Sequence, residues 1–138
     1  MKKLILAIIL SSALLLAACG DTTEVAQPRI TSDIEQQVFA ISEGSEDYSI
    51  SEVEDDGHIY RINIELLFEP KSYAEVEGCT ASACVNCQDI FSQAGIKRDI
   101  SVWARRTLPN NKVALYGRTY YSQTTGKYEF KNIKELNL

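Results

Sequence analysis

The sequence predicts an α+β domain in which an antiparallel sheet of four to five strands carries two helices on one face, in the order α-β-β-α-β-β-β. Three observations carry this prediction. Tyr60, Ile62, Ile64, Leu66 and Phe68 recur at every second place, the period of a strand with one buried face. Ser72 and Glu75 have the spacing of a helix capping box, and apolar residues at three-and-four spacing follow them. Beyond Gly95, alternating stretches are separated by turn residues, as strands joined by short connections require.

Taken in order, Ile30, Ile34, Val38 and Ile41 recur at helical spacing, with Ser32 or Asp33 as the N-cap and Gly44 as the stop. Tyr48 and Ile50 begin a first strand and the Tyr60 run forms a second. Gly57 supplies the left-handed position of a three-residue hairpin loop, which places Ile50 opposite Ile62 and Tyr48 opposite Ile64. Pro70 ends the second strand. Tyr73, Val76, Thr80, Ala83, Cys87, Ile90 and Ala94 then line one side of a long helix that stops at Gly95, with an interruption expected at Gly78. Ile100, Val102 and Ala104 form the next strand, a four-residue loop over residues 108–111 turns the chain, and Val113, Leu115 and Gly117 form its partner. Tyr128 and Phe130 mark a last strand after Gly126. Consecutive strands with short turns pair antiparallel, and the two amphipathic helices are expected to share one face of the sheet.

The amino terminus has a different character. Lys2 and Lys3 precede an apolar run over residues 4–18, too short for a membrane span of about 20 residues but suited to a secretory signal. It ends in Leu16-Ala17-Ala18-Cys19, which resembles the lipobox of bacterial lipoproteins. The resemblance implies that residues 1–18 are a signal peptide and that Cys19 is acylated and becomes the first residue, anchoring the protein to a lipid bilayer. Several acyl chains hold a protein where one is marginal. Gly20 rather than aspartate follows that cysteine, which favours the periplasmic face of the outer membrane over the inner membrane. Residues 19–29 read as a tether, polar with Pro28, and residues 30–138 as a single domain.

Net charge is −5, and removing the signal leaves 12 basic against 19 acidic residues. The charges are segregated: residues 31–60 carry nine acidic residues and no Lys or Arg, whereas residues 96–138 carry nine basic and three acidic. Oppositely charged segments that neighbour one another in the fold account for such a split, as does a polarised surface that steers a partner. An acidic chain of this kind argues against nucleic acid as a partner.

Few residues suggest chemistry. Cys79, Cys84 and Cys87 have a C-x4-C-x2-C spacing that resembles plant-type two-iron ferredoxins, but a cluster needs a fourth ligand and no cysteine follows Cys87. Cys84 and Cys87 also have the C-x-x-C spacing of thioredoxin-type sites, although mid-helix they lack free backbone amides to lower a thiol pKa. In an oxidising compartment the expectation is one structural disulfide, from Cys79 to Cys84 or Cys87, which requires the helix to break near Gly78. His58 beside Asp55, Asp56, Glu52 and Glu54 lacks the ligand pattern of a calcium loop, and no metal or other cofactor is expected. No nucleophile elbow, phosphate loop or zinc-protease helix occurs.

One surface remains. The expected register puts Val102 opposite Gly117 and Ala104 opposite Leu115 on the core side. The other face then carries Trp103 opposite Tyr116 and Ser101 opposite Arg118, flanked by Arg105 and Tyr120. Trp, Tyr and Arg dominate binding hot spots. The expected function is a non-catalytic, membrane-anchored module that binds an envelope protein, similar in size and anchor to small immunity, entry-exclusion, inhibitor or assembly-accessory lipoproteins. The competing expectation is a periplasmic thiol redox protein using Cys84 and Cys87.

Overall fold

The structure, a computed structural model, describes residues 28–133. The expected signal peptide, Cys19 and most of the expected tether lie outside the described residues. Seven elements follow in the predicted order: helix α1 (Ser32–Ala40), strands β1 (Tyr48–Asp55) and β2 (Ile59–Leu66), helix α2 (Tyr73–Gln93), and strands β3 (Asp99–Thr107), β4 (Val113–Ser122) and β5 (Lys127–Asn132). The strands form one sheet in the order β1-β2-β3-β4-β5.

Helix α1 is capped at Thr31, one residue before Ser32 and two before Asp33, the predicted candidates. Thr31 is extended, and its hydroxyl oxygen accepts the Ile34 amide at 3.4 Å. Ser32 and Asp33 are already helical, and the Asp33 carboxylate sits in the first turn, where the helix dipole favours negative charge. Val38 is the fully buried residue of this short helix, with Ile34 and Ile41 packed beside it.

The β1–β2 hairpin has the predicted faces but another register. Ile50 lies opposite Ile64, not Ile62, and Tyr48 opposite Leu66, not Ile64. Two local features explain the shift. The pairing closes at Asp55 and Tyr60, so the loop has four residues, and its amides are held by carboxylates: Asp55 accepts from Gly57, and Asp56 accepts from His58 and Ile59 at 2.9 and 2.7 Å. A bulge then absorbs one residue at Ser51, whose hydroxyl donates to the Asn63 carbonyl. For Tyr48 and Ile50 the net displacement is two places, an even number, so the core face is kept.

Helix α2 starts at the predicted capping box. The Ser72 hydroxyl accepts the Glu75 amide, and the Glu75 carboxylate accepts the Ser72 amide at 3.1 Å. The helix then runs unbroken for 21 residues, so the interruption expected at Gly78 does not occur. Gly78 is exposed, and a glycine inside a helix costs only about 1 kcal/mol. Val76, Cys79, Thr80, Ala83, Cys84, Cys87 and Phe91 are buried along one side and outweigh that cost.

This helix also sets the one departure from an antiparallel sheet: β2 and β3 run parallel, with Ile62 beside Val102 and Ile64 beside Ala104. At about 1.5 Å per residue α2 spans roughly 31 Å. That is enough to carry the chain back along a strand of eight residues, roughly 26 Å long, and restart it in the same direction. The other three pairs are antiparallel. Both helices and the inward residues of the strands share one core, in which Tyr60 meets Phe91 edge to face at 5.0 Å.

The β3–β4 hairpin departs most from expectation. Val102 faces Thr119 rather than Gly117, Trp103 faces Arg118 rather than Tyr116, Ser101 faces Tyr120 rather than Arg118, and Ala104 faces Gly117 rather than Leu115. Arg105 faces Leu115, so Tyr116 is the extra residue of a bulge. A single inserted residue reverses the faces beyond it. Tyr116 is accordingly 3 % exposed in the core, whereas Leu115, expected inside, is 41 % exposed. Gly117 beside the bulge has no side chain because the Phe130 ring lies over it, 2.9 Å from where a Cβ would be.

The bulge predicts a reversal of mutational cost between neighbours. Leu115→Ala should change stability by less than about 1 kcal/mol, whereas Tyr116→Ala should cost about 3 kcal/mol or more. Urea denaturation of the two variants measures this, and the opposite order would place Leu115 in the core.

Candidate functional site

The helices cover one face of the sheet, and no described helix covers the other. Strand pairing lays that open face out in rows. One row reads Glu52, Asn63, Trp103, Arg118, Lys131 across all five strands, and the next reads Glu54, Arg61, Ser101, Tyr120, Glu129. Of the predicted site residues, Trp103, Arg105, Arg118 and Tyr120 are brought together here. Tyr116 is not, because the bulge turns it inward.

Arg118 is the centre of this surface. Its guanidinium carbon lies 5.3 Å from the Trp103 ring centre and 6.0 Å from that of Tyr120. A cation over aromatic faces is held by the ring quadrupoles. Among the described residues no carboxylate comes within ion-pair distance of Arg118. Arg105 is differently placed, paired with Glu65 at 3.5 Å and more loosely with Glu52 at 3.9 Å. Glu52 also accepts from Asn63 at 3.1 Å. One end of the face is thus internally neutralised, while the Trp103–Arg118–Tyr120 cluster keeps a positive group to offer. Arg118, Tyr120, Glu129 and Lys131 line a shallow depression of about 210 Å³ beside it.

Three further residues support this face, of which Asp99 and Arg98 carry no recognisable sequence signal. Asp99 accepts a hydrogen bond from the Tyr120 hydroxyl and a second, at 2.7 Å, from the Gln123 amide. This fixes the Tyr120 ring. The Asp99 hydrogen bond is also the main reason the phenol pKa is raised, with burial second, so Tyr120 is a neutral donor. Ser101 lies between Arg61 and Tyr120, is 3 % exposed, and its hydroxyl oxygen has no hydrogen-bond partner among the described residues. Arg98, also buried, donates to Asp55 at 3.0 Å, to the Lys97 carbonyl at 3.1 Å and to the Pro28 carbonyl at 2.9 Å. It ties Pro28 and the acidic hairpin to the start of β3.

The cysteines are arranged otherwise than expected. Cys79, Cys84 and Cys87 are free thiols buried on the sheet side of the unbroken α2, so the disulfide expected from Cys79 does not form. A continuous helix separates Cys79 from Cys84 by about 7.5 Å along its axis, beyond the reach of a disulfide in that geometry. Burial pushes the Cys79 thiol up to about 11 and Cys84 up to about 12. Cys87 is raised further by burial, with Cys84 a lesser cause. A redox thiol needs a lowered pKa and access to solvent, and these have neither. They pack as small apolar groups. His58 is exposed in the β1–β2 loop, and the described residues contain no cluster of three or more His, Cys, Asp or Glu side chains able to hold a metal ion.

The thiols yield a direct check. At pH 8 a raised pKa leaves less thiolate than in the unfolded chain, so Cys79, Cys84 and Cys87 should react with a thiol reagent roughly a hundredfold more slowly in native than in denatured protein. Fast native labelling of Cys84 or Cys87, read by mass spectrometry, would restore a redox role.

Compared with known protein families, curated proteins and solved structures, the chain finds no match.

Proposed function

We propose that the protein is a lipid-anchored envelope lipoprotein that acts as a non-catalytic protein-binding module, with the open sheet face as its binding surface. The observation that carries the reading is the Trp103–Arg118–Tyr120 cluster. It sets a large, partly buried ring and an uncommitted guanidinium on a flat surface that no described helix covers. Aromatic and Arg anchors of this kind supply most of the energy of protein interfaces. The partner segment that fits combines a carboxylate, to meet Arg118, with an apolar side chain, to lie against Trp103 and the exposed Leu115 and Val113. Asp99 supports the same reading by holding Tyr120 in place before binding, which lowers the ordering cost of association.

The anchor rests on the lipobox-like Leu16-Ala17-Ala18-Cys19. No helix among the described residues is long and apolar enough to cross a membrane, so attachment in this reading falls to the acyl chains. Cys19→Ser should abolish acylation and leave either uncleaved precursor or a soluble form. A processed Cys19→Ser protein that still fractionates with membranes would remove the lipoprotein assignment.

The binding face is tested by placing a photo-crosslinking side chain at position 103 or, as control, at exposed Val85 on α2, in the full-length protein in intact envelopes. Position 103 should yield a discrete adduct and position 85 should not. Arg118→Ala should then weaken binding of the crosslinked partner by more than about 1 kcal/mol while leaving the thermal melt nearly unchanged. Adducts from position 85 alone would move the interface to the helices. Unfolding of Arg118→Ala would make that residue structural.

A further inference from the structure

The last strand leaves the sheet with an open edge, and its sequence is built to pair with itself. β5 is bonded to β4 on one side and to nothing described on the other. The Ile133 amide donates to the Tyr116 carbonyl. Because bonding direction alternates along an antiparallel ladder, the backbone groups of Lys127, Glu129 and Lys131 point toward β4, and those of Tyr128, Phe130 and Asn132 point outward. An antiparallel strand added at this edge must therefore bond to Tyr128, Phe130 and Asn132. If the added strand is a second β5, outward-pointing residues must face outward-pointing residues, which restricts the register to steps of two.

Charge and paired length then select among the allowed registers. Pairing Tyr128 with Tyr128 sets Lys127 opposite Glu129 twice, but it runs Phe130 against Gly126 in the turn and leaves only residues 127–129 paired. Pairing Tyr128 with Phe130 of the second copy sets Glu129 against Glu129 and Lys127 against Lys131. Pairing Phe130 with Asn132 sets Lys131 against Lys131. Pairing Phe130 with Phe130 sets Glu129 opposite Lys131 twice, once on each side of the twofold axis, and Tyr128 opposite Asn132. The Glu129 and Lys131 pairs then fall at non-hydrogen-bonded positions, where side chains of facing strands come closest. Within the described chain neither Glu129 nor Lys131 makes an ion pair, and both are exposed.

The other edge does not offer this. β1 is interrupted by the bulge at Ser51 and carries Glu52, Glu54 and Asp55, so two copies of β1 would repel. β5 has no bulge and no proline.

We infer that the β5 edge is the contact surface for a second copy of this chain, joined antiparallel about Phe130 with reciprocal Glu129–Lys131 pairs, to make a twofold dimer with a continuous ten-stranded sheet. Its open faces, each bearing a Trp103–Arg118–Tyr120 cluster, then lie on one continuous surface. The inference does not depend on the proposed binding function.

Sedimentation of the full-length protein in mild detergent, over micromolar to submillimolar concentrations, tests it with a charge swap. The wild type should show a monomer–dimer equilibrium. Glu129→Lys and Lys131→Glu, whose exposed sites leave the thermal melt unchanged, should each weaken dimerisation roughly tenfold, and the double variant should recover it. A wild type that stays monomeric throughout overturns the inference. So does a dimer indifferent to the single swaps, or a double variant as weak as the singles. Growth beyond dimer mass would point instead to β5 pairing head to tail with the acidic β1 of the next copy, and would equally overturn it.

Discussion

The structure depends on where α2 can lie. Its buried side is made of small groups, Cys79, Thr80, Ala83, Cys84 and Cys87, between the larger Val76 and Phe91 at the ends, so the helix settles close against the sheet. Thr80, mid-helix, satisfies its hydroxyl by bonding back to the Val76 carbonyl and across at 2.7 Å to the hydroxyl of Thr119 on β4. A helix fixed there connects β2 to β3 in parallel, which places β3 at the centre of the sheet. The central position of β3 then puts Trp103 between Asn63 and Arg118 on the opposite face.

The three thiols follow from the same packing. A disulfide from Cys79 would require α2 to break, and the break would uncover the stripe that seats the helix. Cysteine here substitutes for alanine or serine as a small, weakly polar filler. The thiols are buried, and their raised pKa values express the cost of placing a charge there, with the Asp47 and Glu75 carboxylates adding to that cost at Cys79.

Charge is organised across the fold in a manner that sequence position hints at but does not define. Asp55 from the acidic stretch meets buried Arg98 from the basic half, and Glu52 approaches Arg105. Segregated charges along the chain thus become neighbours in space. The buried Arg98 is tolerated because Asp55 and two carbonyls receive its donors, which offsets the desolvation of the guanidinium. On the open face Arg118 has no carboxylate within ion-pair distance among the described residues, and its company is aromatic.

The sequence by itself determined the element order, the core faces of β2 and β3, and the capping box at Ser72, because these depend on periodicity and on contacts three residues apart. It also brought four of the five candidate surface residues to light, since strict alternation over Ser101 to Arg105 assigns faces without knowledge of a partner strand. The tertiary structure decided the rest. The parallel β2–β3 pair depends on the path of α2, and the fate of Gly78 on whether the helix stripe finds a sheet to cover. The exchange of Leu115 and Tyr116 depends on one inserted residue in a bulge, which leaves no mark in the hydrophobic pattern because either residue can fill an inward place. Arg98 and Asp99 gain their roles from partners far away along the chain, Asp55 and Pro28 for the one and Tyr120 and Gln123 for the other, and local sequence does not encode those contacts.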